Sequence, residues 1–149
     1  MLQYQTIPVT PFQQNCSLVW DDQSLQAAVI DPGGDLHLIL EEVERRKLKL
    51  EQIWLTHAHI DHTGNVPNLI KQGFAGEILC TGATLELSDF LLHDSLNIQR
   101  MEMQKKRKQS SRKKGNVKFG NIPQPLYAKK HIVDMIQMAR TLEIGENYK

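Results

Sequence analysis

Apolar and polar positions alternate in short runs along the first thirty residues, broken by turn residues. Tyr4 to Val9, Cys16 to Trp20 and Ala27 to Ile30 each read as a strand, with Pro11 and the Asp21-Asp22 pair between them. Asp31-Pro32-Gly33-Gly34-Asp35 reads as a turn whose last residue caps a helix. Leu36, Ile39, Leu40 and Val43 then recur at helical spacing, with Glu41, Glu42, Glu44, Arg45 and Arg46 on the other face. The next apolar run, Gln52-Ile53-Trp54-Leu55, is a strand that leads directly into a histidine-rich segment. That segment therefore falls on a loop at a strand's C-terminal end.

Beyond the loop, Val66, Leu69 and Ile70 mark a short helix, with Pro67 in its first turn and Gly73 near its end. Glu77 to Cys80 reads as a strand, and Thr81 as the cap of a long helix carrying Leu85, Phe90, Leu91 and Leu92. Strands followed by helix–strand–helix–strand–helix predict an α/β layer protein, a sheet covered by helices. The pattern degrades after Ile98. Residues 104–125 are polar, basic and punctuated by Gly115, Gly120, Pro123 and Pro125, which predicts an exposed or disordered linker. Ile132, Met135, Ile136, Ala139 and Leu142 restore a helical stripe up to Gly145, so 126–149 reads as a C-terminal helix and 1–103 as the main body. No internal repeat is visible.

Composition changes this picture little. A chain of 149 residues with 40% apolar and 23% charged positions reads as one soluble globular domain. The net charge of +1 says nothing of an anionic partner, but its distribution does. Eight of the 18 Lys and Arg residues lie between Arg100 and Lys114, against one acid, Glu102. The start, Met1-Leu2-Gln3-Tyr4-Gln5, has neither the basic nor the apolar region of a secretory signal, and no apolar run is long enough to cross a bilayer. Cys16 and Cys80 are far apart and lack partners at metal-ligand spacing, so they read as reduced core thiols. A cytoplasmic protein with no membrane partner is the expectation.

The candidate chemistry sits in Thr56-His57-Ala58-His59-Ile60-Asp61-His62. In an extended loop, alternation points His57, His59 and Asp61 to one side, with His62 turning back beside them. Imidazole and carboxylate suit zinc, and also iron or manganese. Two such ions about 3.5–4 Å apart can share a water-derived ligand and hold substrate oxygens. His57 and His59 would serve one ion, Asp61 and His62 the other, with Asp61 also placed to orient the attacking water. The bland alternative is a polar loop whose histidines cap or hydrogen-bond. Four potential ligands in this order after an apolar strand argue against it.

The segment resembles the His-x-His-x-Asp-His signature of the metallo-β-lactamase superfamily, whose fold is an αββα sandwich. The resemblance implies two zinc ions held by His57, His59, Asp61 and His62. It also implies an orienting role, without metal contact, for Asp31 in Val29-Ile30-Asp31-Pro32-Gly33-Gly34. Taken without the downstream motif, Asp31 reads first as an ordinary turn and cap residue. From Ile7-Pro8-Val9-Thr10 and Phe12-Gln13-Gln14-Asn15-Cys16 up to His62, the chain resembles small glyoxalase-II-like hydrolases. In these a metal-bound hydroxide cleaves a glutathione thioester. From Thr56 onward it resembles the RNA-processing β-CASP branch, through Lys71-Gln72-Gly73-Phe74, Gly76, Thr81, Ala83-Thr84, Glu86-Leu87, Asp94-Ser95 and Ile98-Gln99. Pro125-Leu126-Tyr127 fits the approach to that branch's cap domain. The two likenesses meet at the shared motif, where a fusion or a misassembled gene would join them.

Three functions follow for comparison. The first is a metal-dependent hydrolase of a hydroxyacylglutathione-type thioester. The second is a β-CASP-type ribonuclease, with Lys105, Lys106, Arg107, Lys108, Arg112, Lys113 and Lys114 contacting RNA phosphates. The same run also reads as a solvated segment with no aromatic residue to stack bases. The third is an inactive fragment that binds RNA or a partner through that tract. It is motivated by the lack of any Gly-His dipeptide to supply later ligands. His37, His93 and His131 match no family ligand position and read as surface or boundary residues. A sandwich truncated in this way predicts self-association through exposed sheet edges.

Overall fold

The computed structural model describes residues 1–112, 124–143 and 145. Its elements in chain order are β1 Leu2–Val9, β2 Gln14–Asp21, β3 Gln26–Ile30, α1 Leu36–Arg45, β4 Lys49–Trp54, α2 Ile60–Thr63, α3 Val66–Lys71, β5 Glu77–Cys80, α4 Gly82–Arg112, α5 Lys129–Met138 and β6 Ala139–Thr141. The strands form one six-stranded sheet in sequence order, antiparallel from β1 to β3 and parallel from β3 to β6. The expected mixed α/β architecture is therefore present.

Strand alternation places Gln14, Cys16, Leu18 and Trp20 of β2 on the inward face, beside Ile7 and Val9 of β1. Ile53 and Ile78 continue that layer across β4 and β5. Leu36 and Ile39 of α1, Leu69 of α3, Leu92 and Leu96 of α4 and Ile132 and Met135 of α5 join the same apolar cluster. The Arg46 guanidinium lies 4.5 Å from the centroid of the buried Trp20 ring, and its Nη2 donates to Gln5 Oε1 at 2.6 Å. Its stem and charge thus pin the end of α1 to β1 and β2.

Three expectations need correcting. Asp35 stands at the start of α1 but makes no capping bond; its φ is 42° and its Oδ2 accepts the Thr10 amide at 2.8 Å. The carboxylate fastens the β1–β2 turn to the helix start instead. Secondly, α4 runs through Arg112, so residues 104–112 are helical and not a linker. No glycine or proline interrupts positions 83 to 112, the Lys, Arg, Gln and Met residues there favour helix, and Met103 is buried. Of the expected linker, residues 113–123 lie outside the described residues. Thirdly, the C-terminal helix stops at Met138. Ala139 to Thr141 extend beside β5, and the Leu142 amide donates to the Cys80 carbonyl at 2.9 Å. Sheet pairing outweighs the helical stripe there.

Thr81 does cap α4, since its Oγ1 accepts the Thr84 amide at 3.2 Å. Among the described residues, no helix is long and apolar enough to cross a membrane.

Candidate metal centre

Adjacent parallel strands deliver the chemistry-bearing residues. Asp31 follows β3 and the histidine segment follows β4, so both emerge at the same edge of the sheet. Carboxyl ends of parallel strands are where open α/β sheets gather ligands. Asp31 adopts φ 52°, a left-handed conformation that Asp tolerates better than most residues, and its amide donates to the Trp54 carbonyl at 3.0 Å. That bond aligns its side chain with the start of the motif.

The motif is not extended throughout. Residues 60–63 make one helical turn, α2, in which the His59 carbonyl accepts the amides of His62 (2.9 Å) and Thr63 (3.0 Å). Asp61 and His62 therefore lie on a turn and not on an alternating loop, which is how His62 swings back. Thr63 is fully buried, and its hydroxyl donates to the carbonyls of Ala58 (3.3 Å) and His59 (3.2 Å). The Asn65 amide nitrogen donates to the Gly33 carbonyl at 3.3 Å, tying the turn back to the Asp31 loop.

The three imidazoles cluster. The His57 ring lies 3.9 Å from that of His62 and 4.8 Å from that of His59, centroid to centroid. One ligand atom each from Asp31, His57 and His62 lies within 4.8 Å of the other two. His62 Nε2 is 3.7 Å from Asp61 Oδ2. The structure thus brings Asp31, His57 and His62 together, with His59 and Asp61 on the flanks.

Asp31 has less to offer a cation than its position suggests. It is 5% exposed, and its Oδ1 accepts the Thr56 amide at 2.8 Å. Its Oδ2 accepts the Thr56 hydroxyl at 2.5 Å and stands 3.1 Å from His62 Nδ1. A carboxylate so occupied is a hydrogen-bond anchor. Gln14 Nε2 also lies 3.0 Å from His62 Nδ1, but its protons have the carbonyls of Asn15 (2.6 Å) and Asp31 (3.4 Å) as acceptors. A carboxylate oxygen can only accept, so the 3.1 Å contact is a hydrogen bond when Nδ1 of His62 carries the proton, an arrangement that leaves Nε2 its lone pair to face a cation. As donors, imidazole nitrogens with a carboxylate suit zinc, iron or manganese, and the residues present fit such an ion.

Gln14 and Thr56 were not assigned roles from sequence. Gln14 had a readable signal: it is a polar side chain on the inward face of an otherwise apolar strand. The other histidines are accounted for locally. His37 is exposed on α1. His93 Nδ1 lies 3.0 Å from Asp89 Oδ1 one turn away. His131 Nδ1 accepts the Ala128 amide at 3.0 Å, and burial together with nearby Lys130 lowers the pKa of its imidazole, which suits an acceptor. Lys105, Lys106, Arg107 and Lys108 are exposed near the end of α4. Arg112 is the last described residue of that helix, and Lys113 and Lys114 lie outside the described residues.

Residues 9–129 match a model of the metallo-beta-lactamase superfamily. Hydroxyacylglutathione hydrolase GloC of Haemophilus influenzae is 50% identical over 74 residues, 50% of this chain and 34% of that protein. Ribonuclease TTHA0252 of Thermus thermophilus is 38% identical over 50 residues, 34% of this chain and 12% of that protein. Both branches noted from sequence are therefore represented among the relatives. The matched part covers well under two thirds of either relative. A solved structure, TTHA1623 in a di-iron-bound form, aligns with 58% of this chain and 44% of its own, at 27% identity and a TM-score of 0.49.

Proposed function

Since the chain belongs to the metallo-beta-lactamase superfamily, we propose that it acts as a metal-dependent hydrolase of a thioester of the hydroxyacylglutathione type. The observation that carries the reading is the convergence of His57 and His62 with the buried Asp31 at the carboxyl ends of β3 and β4. The identity with GloC favours the thioester over other acyl substrates.

In this reading His57 and His59 hold one cation and Asp61 and His62 a second, zinc being the first choice and iron or manganese also suited. A bound divalent ion supplies Lewis acidity, making water acidic enough to ionise near neutral pH and polarising the carbonyl of the substrate. The chain's own groups do the rest. Asp31 orients His62 through Nδ1 and keeps its remaining lone pairs on Thr56. Asp61, about one third exposed at its side chain, would also orient the attacking water. Location in the cytoplasm remains part of this proposal.

A ribonuclease is the runner-up. It is favoured by the exposed Lys105, Lys106, Arg107 and Lys108 on α4 and by the likeness to ribonuclease TTHA0252. The purified chain should be titrated with zinc and assayed with a glutathione thioester and with labelled single-stranded RNA. Thioester turnover that is lost with chelator and in His57→Ala supports the proposal. RNA cleavage without thioester turnover would reverse the ranking. RNA binding that ignores chelator, with neither activity, would leave a non-catalytic binding chain.

A further inference from the structure

Thr56 is exposed, yet its hydroxyl sits between two groups of the site. Its oxygen is 2.5 Å from Asp31 Oδ2 and 2.9 Å from His57 Nδ1. A hydroxyl has one proton and two lone pairs, so it can donate once and accept in the same arrangement. The carboxylate can only accept. The Thr56 proton therefore goes to Asp31, which leaves its oxygen to accept from His57, and His57 must carry its proton on Nδ1. His62 carries its own on Nδ1 for a simpler reason, its 3.1 Å contact with the same Asp31 oxygen.

We propose that Thr56 is a positioning residue, whose hydroxyl relays the acceptor character of Asp31 to His57, so that one buried carboxylate sets the tautomer of both His57 and His62. Both rings then present Nε2 as the donor atom. The proposal rests on the metal-centre reading for its consequence but not for its geometry. His57 and His62 belong to different cations in that reading, so Asp31 links the two: directly on one side, through a single hydroxyl on the other. The Thr56 amide bond to Asp31 Oδ1, at 2.8 Å, does not depend on the side chain. Changing the hydroxyl alone therefore leaves Asp31 anchored.

Thr56→Val keeps the shape and removes the relay, and Thr56→Ser keeps the relay. Two-bond proton–nitrogen NMR correlations report which imidazole nitrogen carries the proton. They should be recorded on the full chain without metal at about pH 8.5, some two units above the ordinary imidazole value. Wild type and Thr56→Ser should show Nδ1–H at both histidines. Thr56→Val should move His57 alone toward Nε2–H and leave His62 unchanged. Zinc affinity by chelator competition should fall about ten- to hundredfold in Thr56→Val, the usual effect of removing an orienting partner, and stay near wild type in Thr56→Ser.

Nδ1–H retained at His57 in Thr56→Val overturns the proposal, as does a loss in Thr56→Ser equal to that in Thr56→Val. If Thr56→Val disturbs the amide spectrum as a whole, the serine variant and wild type still decide it: Nε2–H at His57 in both would overturn it. Absence of thioester turnover would count against the hydrolase reading and leave the tautomer result standing.

Discussion

Gly33 lies directly beneath the carbonyl of Asp61: a Cβ at Gly33 would fall 1.5 Å from that oxygen and 2.6 Å from the His62 amide nitrogen. The backbone of the α2 turn thus rests on a residue with no side chain, and no rotamer change can relieve the overlap. Gly33→Ala should push the turn outward, carrying Asp61 and His62 away from His57. The expected cost is about 1–3 kcal/mol of stability, as for other overpacked sites, with zinc affinity reduced by more than tenfold. Urea unfolding and chelator competition measure the two. Wild-type affinity in a folded variant would mean that the turn's position does not govern the site.

Much of the site was legible in sequence because its residues are contiguous. His57 to His62 fall within six positions, and the Asp31 turn follows a strand whose apolar run is plain. What sequence missed was set by partners distant along the chain. Asp35 looked like a helix cap because Asp usually is one there, but the Thr10 amide, 25 residues earlier, takes its carboxylate. Asp61 looked like part of an extended loop until the His59 carbonyl closed a turn over it. The basic half of α4 hid its helicity because an exposed polar helix has little apolar period to read. Leu142 fitted a helical stripe, yet the open edge of β5 claimed the backbone around it.

Three buried groups make the alkaline limit of stability predictable. Burial pushes the Cys16 thiol up to about 12, with the Asp31 charge adding to the effect. Burial likewise raises the Cys80 thiol and the Tyr127 phenol. Each group holds its proton more tightly folded than unfolded, so the unfolded chain binds fewer protons once the pH passes the ordinary values. The stabilisation is complete below about pH 8.5, the ordinary thiol value, and is lost as the pH climbs through the folded values. Urea midpoints should therefore fall from about pH 9 upward, and Cys16→Ala should show a shallower fall than wild type. A midpoint that is flat to pH 11 would show that these groups ionise without unfolding the chain.

Ile132 and Met135 are fully buried on α5, in the same apolar cluster as Leu69 of α3 and Leu92 of α4. This packing makes α5 part of the body of the domain and not an appendage beyond the basic segment. Ile132→Ala should cost about 2–5 kcal/mol, the range for a truncated core isoleucine. The exposed neighbour Val133 provides the control, and Val133→Ala should cost well under 1 kcal/mol. Thermal and urea unfolding followed together test both. Equal, small effects would place α5 outside the cooperative unit.

The basic stretch of α4 has an ordinary reading as well as a recognition one, and the two separate in experiment. Lys105, Lys106, Arg107 and Lys108 are exposed on α4, described as Gly82–Arg112. As exposed side chains on a helix, the four serve in that reading only as a solvated face, which alanine also supports. Replacing all four by alanine should therefore lower stability only slightly. If the tract also meets RNA phosphates, the salt dependence of binding changes far more. Each single-strand phosphate contact contributes about 0.7 to the slope of log affinity against log salt, so four lost contacts flatten it by about 3. Filter binding across a salt series measures this slope. Under the proposed thioesterase reading, turnover should stay within about twofold, because none of the four side chains belongs to the cluster of His57, His62 and Asp31. A parallel collapse of turnover would tie the tract to the histidine cluster. An unchanged slope would leave the four charges as a solvated helix face and nothing more.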